Sequence, residues 1–147
     1  MLSMKAKYAL RAMATLAQHA DALLPARQIA AEARVPEKFL EIILLDLRHA
    51  GFIRSRRGPD GGHALARPSE EIGLGDLIRA IDGPLAPIRC ASLSAYRACE
   101  DCPDPNHCAV RDLMTDVRVA MAVVLDRRSL RDHLDQSVRL TPQLSEA

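Results

Sequence analysis

Four cysteines fall within 19 residues of a 147-residue chain: Cys90, then Cys99, Cys102 and Cys108 in a C-x2-C-x5-C run. Thiolates are soft ligands, suited to iron–sulfur clusters and to zinc. The spacing of Cys99 and Cys102 lets both sulfurs turn to one metal. Pro103, Asp104, Pro105 and Asn106 favour an irregular loop that can wrap a site. Cys108 stands where a long helical pattern begins, and a helix N-terminus lowers a thiol pKa. Glu100, Asp101 and Asp104 work the other way, because negative charge opposes thiolate formation without a metal. His107 is either a further ligand or an ordinary loop histidine. Inert cysteines are the bland alternative for the whole group, and clustering this tight argues against it.

A second segment suits a different chemistry. Arg54-Ser55-Arg56-Arg57-Gly58-Pro59-Asp60-Gly61-Gly62-His63 has the make-up of a basic hairpin with a glycine-rich tip. Strand alternation puts Arg54 and Arg56 on one side and sends Arg57 away or into the turn. Arginines are drawn to a narrow minor groove by its negative potential, and glycines let a backbone come close to phosphate. A loop kept soluble by charge would look similar. The preceding elements favour DNA.

Those elements are helical. Residues 4–20 read as a helix with Lys7, Arg11, Thr15 and Gln18 as its polar stripe and Tyr8, Ala9, Met13 and Leu16 on its apolar side. Pro25 opens a second helix, with Ile29, Ala30 and Ala33 as its buried face. Pro36 starts a third, in which Phe39, Leu40, Ile43, Leu44 and Leu47 form one buried stripe, and Gly51 ends it. Two short helices joined by a tight turn make a helix-turn-helix candidate. Phe52–Ser55 and His63–Ala66 can pair as strands, so the hairpin is a wing.

The exposed face of the third helix is Lys38, Glu41, Ile42, Leu45 and Arg48 or His49. Lys38 and Glu41 can make polar contacts to base edges, and Ile42 could meet a thymine methyl. Alternatively the face is simply solvated, or Ile42 and Leu45 pack on a partner. The candidate DNA-contacting set is Lys38, Glu41, Ile42, Arg54, Arg56, Arg57, Gly61, Gly62 and His63.

Leu74, Leu77, Ile78 and Ile81 mark a short helix ended by Gly83-Pro84. Val110, Met114, Val117, Met121 and Val124 then repeat at 4-3-4-3, the seam of a paired helix. Ser129 can cap a last short helix containing Leu130 and Leu134. The expected fold is mainly α with a small β-hairpin wing: a winged helix-turn-helix over residues 1–83, a cysteine-bearing loop over 84–109, a dimerisation helix and short terminal helix over 110–136, and a flexible tail over 137–147.

Composition agrees. Hydrophobic residues make up 48% of the chain and aromatics only 3%, so Ala, Leu, Val and Ile must fill the core. The net charge of +1 hides an asymmetry: residues 1–67 hold 11 Lys/Arg against 6 Asp/Glu, and residues 68–147 hold 9 against 13. A basic front half and an acidic back half fit a DNA-binding end and a separate sensing end. No run of 18 apolar residues and no signal-peptide core are present, so no membrane span is expected and the cytoplasm is the expected compartment. Disulfides are rare there, which again favours a metal or reactive thiols. Cys99-x-x-Cys102 could suggest a thiol oxidoreductase, but that needs a βαβ context the pattern lacks. No Ser/His/Asp set, phosphate-cradling glycine loop or carboxylate pair points to an enzyme.

Lys7-Tyr8-Ala9-Leu10-Arg11, the stretch ending Leu47-Arg48-His49-Ala50-Gly51, the wing Arg57-Gly58-Pro59-Asp60-Gly61-Gly62-His63-Ala64-Leu65 and the late cysteines together resemble the Rrf2 family of bacterial regulators. That family includes the iron–sulfur regulator IscR, the nitric-oxide sensor NsrR and BadM-like repressors. The resemblance runs from about Met4 to Leu134. It implies a winged helix-turn-helix, a homodimer through the long helix and a palindromic double-stranded DNA operator. It also implies a 2Fe-2S or 4Fe-4S cluster held by three cysteines, which match Cys90, Cys102 and Cys108 here. The usual fourth ligands are missing: Arg111 stands where the IscR-like branch has a histidine, and Lys7 where the nitric-oxide branch has an aspartate. Cys99 can replace them and complete a four-thiolate site. The alternatives are a cluster-free regulator switched by thiol oxidation, or a structural zinc with no sensing role. Glu41 matches a recognition-helix glutamate of the IscR-like branch, whereas Ile42 falls where that branch has a polar residue. The expectation is a homodimeric transcriptional repressor that senses redox, iron or nitric-oxide status through Cys90, Cys99, Cys102 and Cys108.

Overall fold

The computed structural model describes residues 2–140. Helix α1 (Met4–Gln18) starts at Ser3, whose hydroxyl accepts from the Ala6 N–H at 3.0 Å. It runs through the middle of the molecule, against α2, α3, α4 and α6 defined below. Ala6, Ala9 and Ala12 are buried there, and their small side chains let neighbouring backbones come close. Helix α2 (Ala26–Ala33) and helix α3 (Glu37–His49) each follow a proline, which presets the entry dihedral. Between them Arg34 adopts the left-handed conformation (φ 53°) and makes the tight turn of a helix-turn-helix. Met13, Leu16, Ile29, Leu40, Ile43 and Leu47 are fully buried and join these three helices into one core.

Strands β1 (Ile53–Arg56) and β2 (Gly62–Leu65) pair antiparallel, with Ile53 opposite Leu65 and Arg56 opposite Gly62. Helix α4 (Leu74–Asp82) follows and stops at Gly83, whose φ of 84° suits glycine. The next segment holds only two single 3-10 turns, Arg89–Ala91 and Pro105–His107, before helix α5 (Ala109–Asp126). Helix α6 (Leu130–Leu140) returns to α1 and buries Leu130 completely. Ser129 and Asp132 cap it reciprocally: the Ser129 hydroxyl accepts from the Asp132 N–H at 3.1 Å, and the Asp132 carboxylate accepts from the Ser129 N–H at 2.8 Å. No helix among the described residues is long and apolar enough to cross a membrane.

Several expectations need correction. The first helix ends at Gln18 rather than residue 20, and Thr15, expected on a polar stripe, is buried because four helices surround α1. Phe39 is 55% exposed instead of joining the α3 stripe; it sits at the edge of that face, against Tyr8 of α1 at 6.1 Å between ring centroids. The first strand lies one residue later than expected, and the second begins and ends one residue earlier. Helix α6 extends to Leu140, so residues 137–140 are helical where a tail was expected; residues 141–147 lie outside the described part.

Candidate nucleic-acid interface and cysteine site

The buried residues of α3 fix which way its other face looks. Leu40, Ile43, Leu44 and Leu47 point into the core, so at 100° per residue the opposite pole carries Lys38, Ile42, Leu45 and His49. All four are exposed. Glu41 and Arg48 flank that pole on the side of the wing. With Ala26, Leu44, Leu45, Ser55 and His63 they line an open crevice of about 180 Å³ between α3 and the hairpin.

The wing is tied to the helices at its base. The His63 N–H donates to the Leu24 carbonyl at 2.8 Å, and the Leu24 N–H donates to the His63 carbonyl at 2.9 Å. The His63 ring bonds the Ser55 hydroxyl across the ladder at 2.7 Å. Partial burial, then the nearby Arg48 charge, lowers the His63 pKa and favours the neutral ring. A Cβ on Gly62 would lie 2.5 Å from the Leu24 carbonyl oxygen, and one on Gly61 would lie 2.1 Å from the Arg56 carbonyl oxygen. Both glycines are thus demanded by close approaches within the chain itself. Sequence pattern suggests contact with phosphate for them and gives no sign of this internal reason.

Arg54, Arg56 and Arg57 are exposed, and none of them has an acidic partner among the described residues. A row of uncompensated cations beside an exposed helix pole suits a polyanion. Replacing Arg56 and Arg57 together by Ala is expected to weaken DNA binding and to flatten its salt dependence, by about one unit of log–log slope for each phosphate no longer neutralised. Operator titrations at several salt concentrations measure this; an unchanged slope would remove both arginines from the interface.

The second site gathers all four cysteines. Cys90, Cys99, Cys102 and Cys108 line one cavity of about 320 Å³ together with Tyr96 and Arg111. Cys90 is buried in the 3-10 turn Arg89–Ala91, and its sulfur lies 4.0 Å from that of Cys99. Cys108 is the N-cap of α5, its sulfur accepting from the Arg111 N–H at 3.5 Å. Arg111 holds the two ends of the loop together: its Nε donates to the Cys90 carbonyl and one Nη to the Pro105 carbonyl, each at 2.9 Å. Its guanidinium also stacks over Tyr96 at 5.6 Å. In the sequence Arg111 stands out only as a missing ligand; its clamping role depends on two backbone carbonyls that spacing cannot reveal. His107 turns away to pair with Asp104 and does not line the cavity.

Among the described residues, no three His, Cys, Asp or Glu side chains converge on one ion-sized point. Two of the thiols, Cys99 and Cys102, disfavour ionisation when nothing is bound. The Cys99 pKa is raised by its hydrogen bond to Cys90, then by the Cys90 charge; the Cys102 pKa is raised by burial, then by Cys108. Alkylation of Cys99 and Cys102 by iodoacetamide in metal-free protein is therefore expected to be slower at pH 7 than that of an ordinary cysteine, and to climb at higher pH than usual. Labelling as fast as a free cysteine peptide would contradict this environment.

A helix-turn-helix followed by a two-stranded wing, with a cysteine-lined cavity beside a long helix, defines the class as a winged-helix transcriptional regulator. The sequence profile of the Rrf2 family, described as an iron-dependent transcriptional regulator, matches residues 2–136, and the chain belongs to that family. An Rrf2-like HTH-type transcriptional regulator of Rhodobacter capsulatus is 41% identical over 138 residues, covering 91% of this chain and 92% of that protein. The structure of CymR, the global cysteine regulator of B. subtilis, superposes with a TM-score of 0.75 at 31% identity, covering 92% of this chain and 97% of that one. T. potens IscR gives the same TM-score, 0.75, at 28% identity, covering 97% of this chain and 93% of the other. The expected winged, mainly helical fold is thus the fold of the family.

Proposed function

We propose that this chain is a cytoplasmic, homodimeric repressor whose affinity for a palindromic operator is set by an iron–sulfur cluster held by Cys90, Cys99, Cys102 and Cys108. The observation that carries the reading is the meeting of these four thiols in one cavity at the N-terminus of α5. The donor set fits such a group: four thiolates, two per iron, are the ligand set of a 2Fe-2S centre. When bound, the group supplies sensitivity to electrons, oxygen or nitric oxide.

The chain's residues supply the rest. Cys90 comes from the 3-10 turn Arg89–Ala91, Cys99 and Cys102 from the loop that follows, and Cys108 from the N-cap of α5. Arg111 keeps the loop closed through its bonds to the Cys90 and Pro105 carbonyls. Arg79 of α4 fixes the other end of α5 through two bonds to Asp126, at 2.7 and 2.9 Å, so a change at Cys108 would pivot the helix about that end. The exposed apolar seam of α5 would carry that movement to a second subunit, and so to the separation of two reading helices. Lys38, Glu41 and Ile42 on α3 would face the bases, with Arg54, Arg56 and Arg57 along the backbone and Gly61, Gly62 and His63 shaping the wing.

Anaerobic purification followed by visible absorbance and assays of iron, sulfide and zinc tests the proposal. About two iron and two sulfide per chain for a 2Fe-2S centre, or about four of each for a 4Fe-4S centre, is the expected result. A protein with neither metal nor sulfide refutes the cluster and leaves a second reading, which the 4.0 Å approach of Cys90 to Cys99 favours: a regulator switched by reversible thiol oxidation.

A further inference from the structure

The outward pole of α3 carries two aliphatic side chains that the fold does not use. Ile42 is 56% exposed and Leu45 44% exposed, on a helix whose inner face already buries Leu40, Ile43, Leu44 and Leu47. Phe39 differs, because it leans on Tyr8 at the edge of α1. The surroundings of the pair are cationic on balance. Lys38 precedes it and Arg48 follows it, and Arg54, Arg56 and Arg57 extend from the neighbouring hairpin, against the carboxylates of Glu37 and Glu41 on the helix itself. An apolar protein groove would not call for that excess of positive charge, whereas a polyanion would. The major groove of duplex DNA admits one α-helix, and the one apolar group on its base edges is the C5-methyl of thymine.

We infer that Ile42 and Leu45 read thymine methyl groups, so that each operator half-site of this protein carries T·A pairs at one or two fixed positions beneath the pole of α3. The inference rests on the regulator reading above and adds its base specificity. Glu41, on the wing side of the same helix, divides the task with them. Its carboxylate can accept only from an amino edge, that of cytosine or adenine, and it repels phosphate. The helix therefore reads an amino group on one flank and methyl groups at its pole. Aliphatic contacts cannot orient on a phosphate, so Ile42 and Leu45 contribute selectivity while the arginines contribute the affinity shared by all sequences.

The test uses the full chain and an operator selected from a pool of random duplexes. Each thymine of that operator is replaced in turn by deoxyuridine, which removes only the methyl. Binding by the wild type is expected to fall roughly fourfold at one or two positions per half-site, the factor carried by one buried CH₂ equivalent. Ile42→Ala and Leu45→Ala are each expected to abolish the deoxyuridine penalty at one position while keeping the wild-type helical circular dichroism and melting temperature. Wild-type binding indifferent to every deoxyuridine, or a penalty undiminished in both variants, overturns the inference and leaves the regulator reading standing. Full operator affinity in Ile42→Ala and Leu45→Ala, with binding to a second protein abolished instead, overturns it in favour of a protein partner. Selection that yields no bound duplex overturns the regulator reading and the inference with it.

Discussion

Val117→Asp, or Met121→Asp, is expected to convert a dimer to a monomer and to weaken operator binding by at least about a hundredfold. The reason lies in α5, an 18-residue helix of which no residue is buried within the single chain. Polar contacts hold both its ends: Arg111 to the loop carbonyls at the start, and Arg79 to Asp126 at the finish. Between these anchors Val110, Val117 and Val124 of the 4-3-4-3 seam lie exposed, and Met114 and Met121 half-buried. Leu113 adds exposed apolar surface on the same face, whereas Val119 and Val123 lie on the opposite one. An apolar stripe of this kind is expected to be an association surface, and its spacing suits a second copy of the same helix. An isologous interface repeats the substitution on both sides, so two carboxylates would be desolvated together, at several kcal/mol each. The operator effect follows because a monomer loses the effective concentration with which a dimer engages its second half-site, a factor of about 10² to 10⁴. Sedimentation and operator titration of the same preparation check both parts. A variant that stays dimeric would assign the stripe to contacts within the subunit.

The helices were legible in the sequence because proline, glycine and apolar periodicity act locally. Pro25, Pro36 and Gly83 bound their helices as expected, and the inner face of α3 is the expected stripe without Phe39. Phe39 departs from it because periodicity gives a face and not its width; the ring lies at the edge of that face beside Tyr8, half in water. Thr15 departs for the opposite reason, since the number of helices packed round α1 is a tertiary fact. The cysteine site was legible as a group and illegible as a geometry. Spacing placed Cys99 with Cys102, yet the sulfur that Cys99 bonds belongs to Cys90, nine residues upstream in a loop without a period. The roles of Gly61 and Gly62 were illegible too, because they depend on where Leu24 and the Arg56 carbonyl lie in space.

The cysteine variants carry the other large expected effect. Cys102→Ala and Cys108→Ala are each expected to abolish cluster binding and to change operator affinity by about 5- to 150-fold, a coupling of roughly 1–3 kcal/mol. Cys108 has a double role. Its sulfur lines the cavity and also caps α5, accepting from the Arg111 N–H, so ligation and helix start share one atom. Cys108→Ser keeps a capping oxygen but loses a soft ligand. It should therefore match Cys108→Ala in iron content while retaining more thermal stability. Cys99 decides which ligand set operates. As a fourth ligand it would behave in Cys99→Ala like Cys102→Ala; as a bystander it would leave iron, sulfide and operator affinity close to wild type. Its sulfur faces Cys90 across 4.0 Å on the wall of the shared cavity, which favours the first outcome. Anaerobic iron and sulfide assays, run beside operator titrations before and after chelation, separate the cases. Metal binding whose removal leaves operator affinity unmoved would make the site a structural brace, and the regulator would then have to take its signal elsewhere.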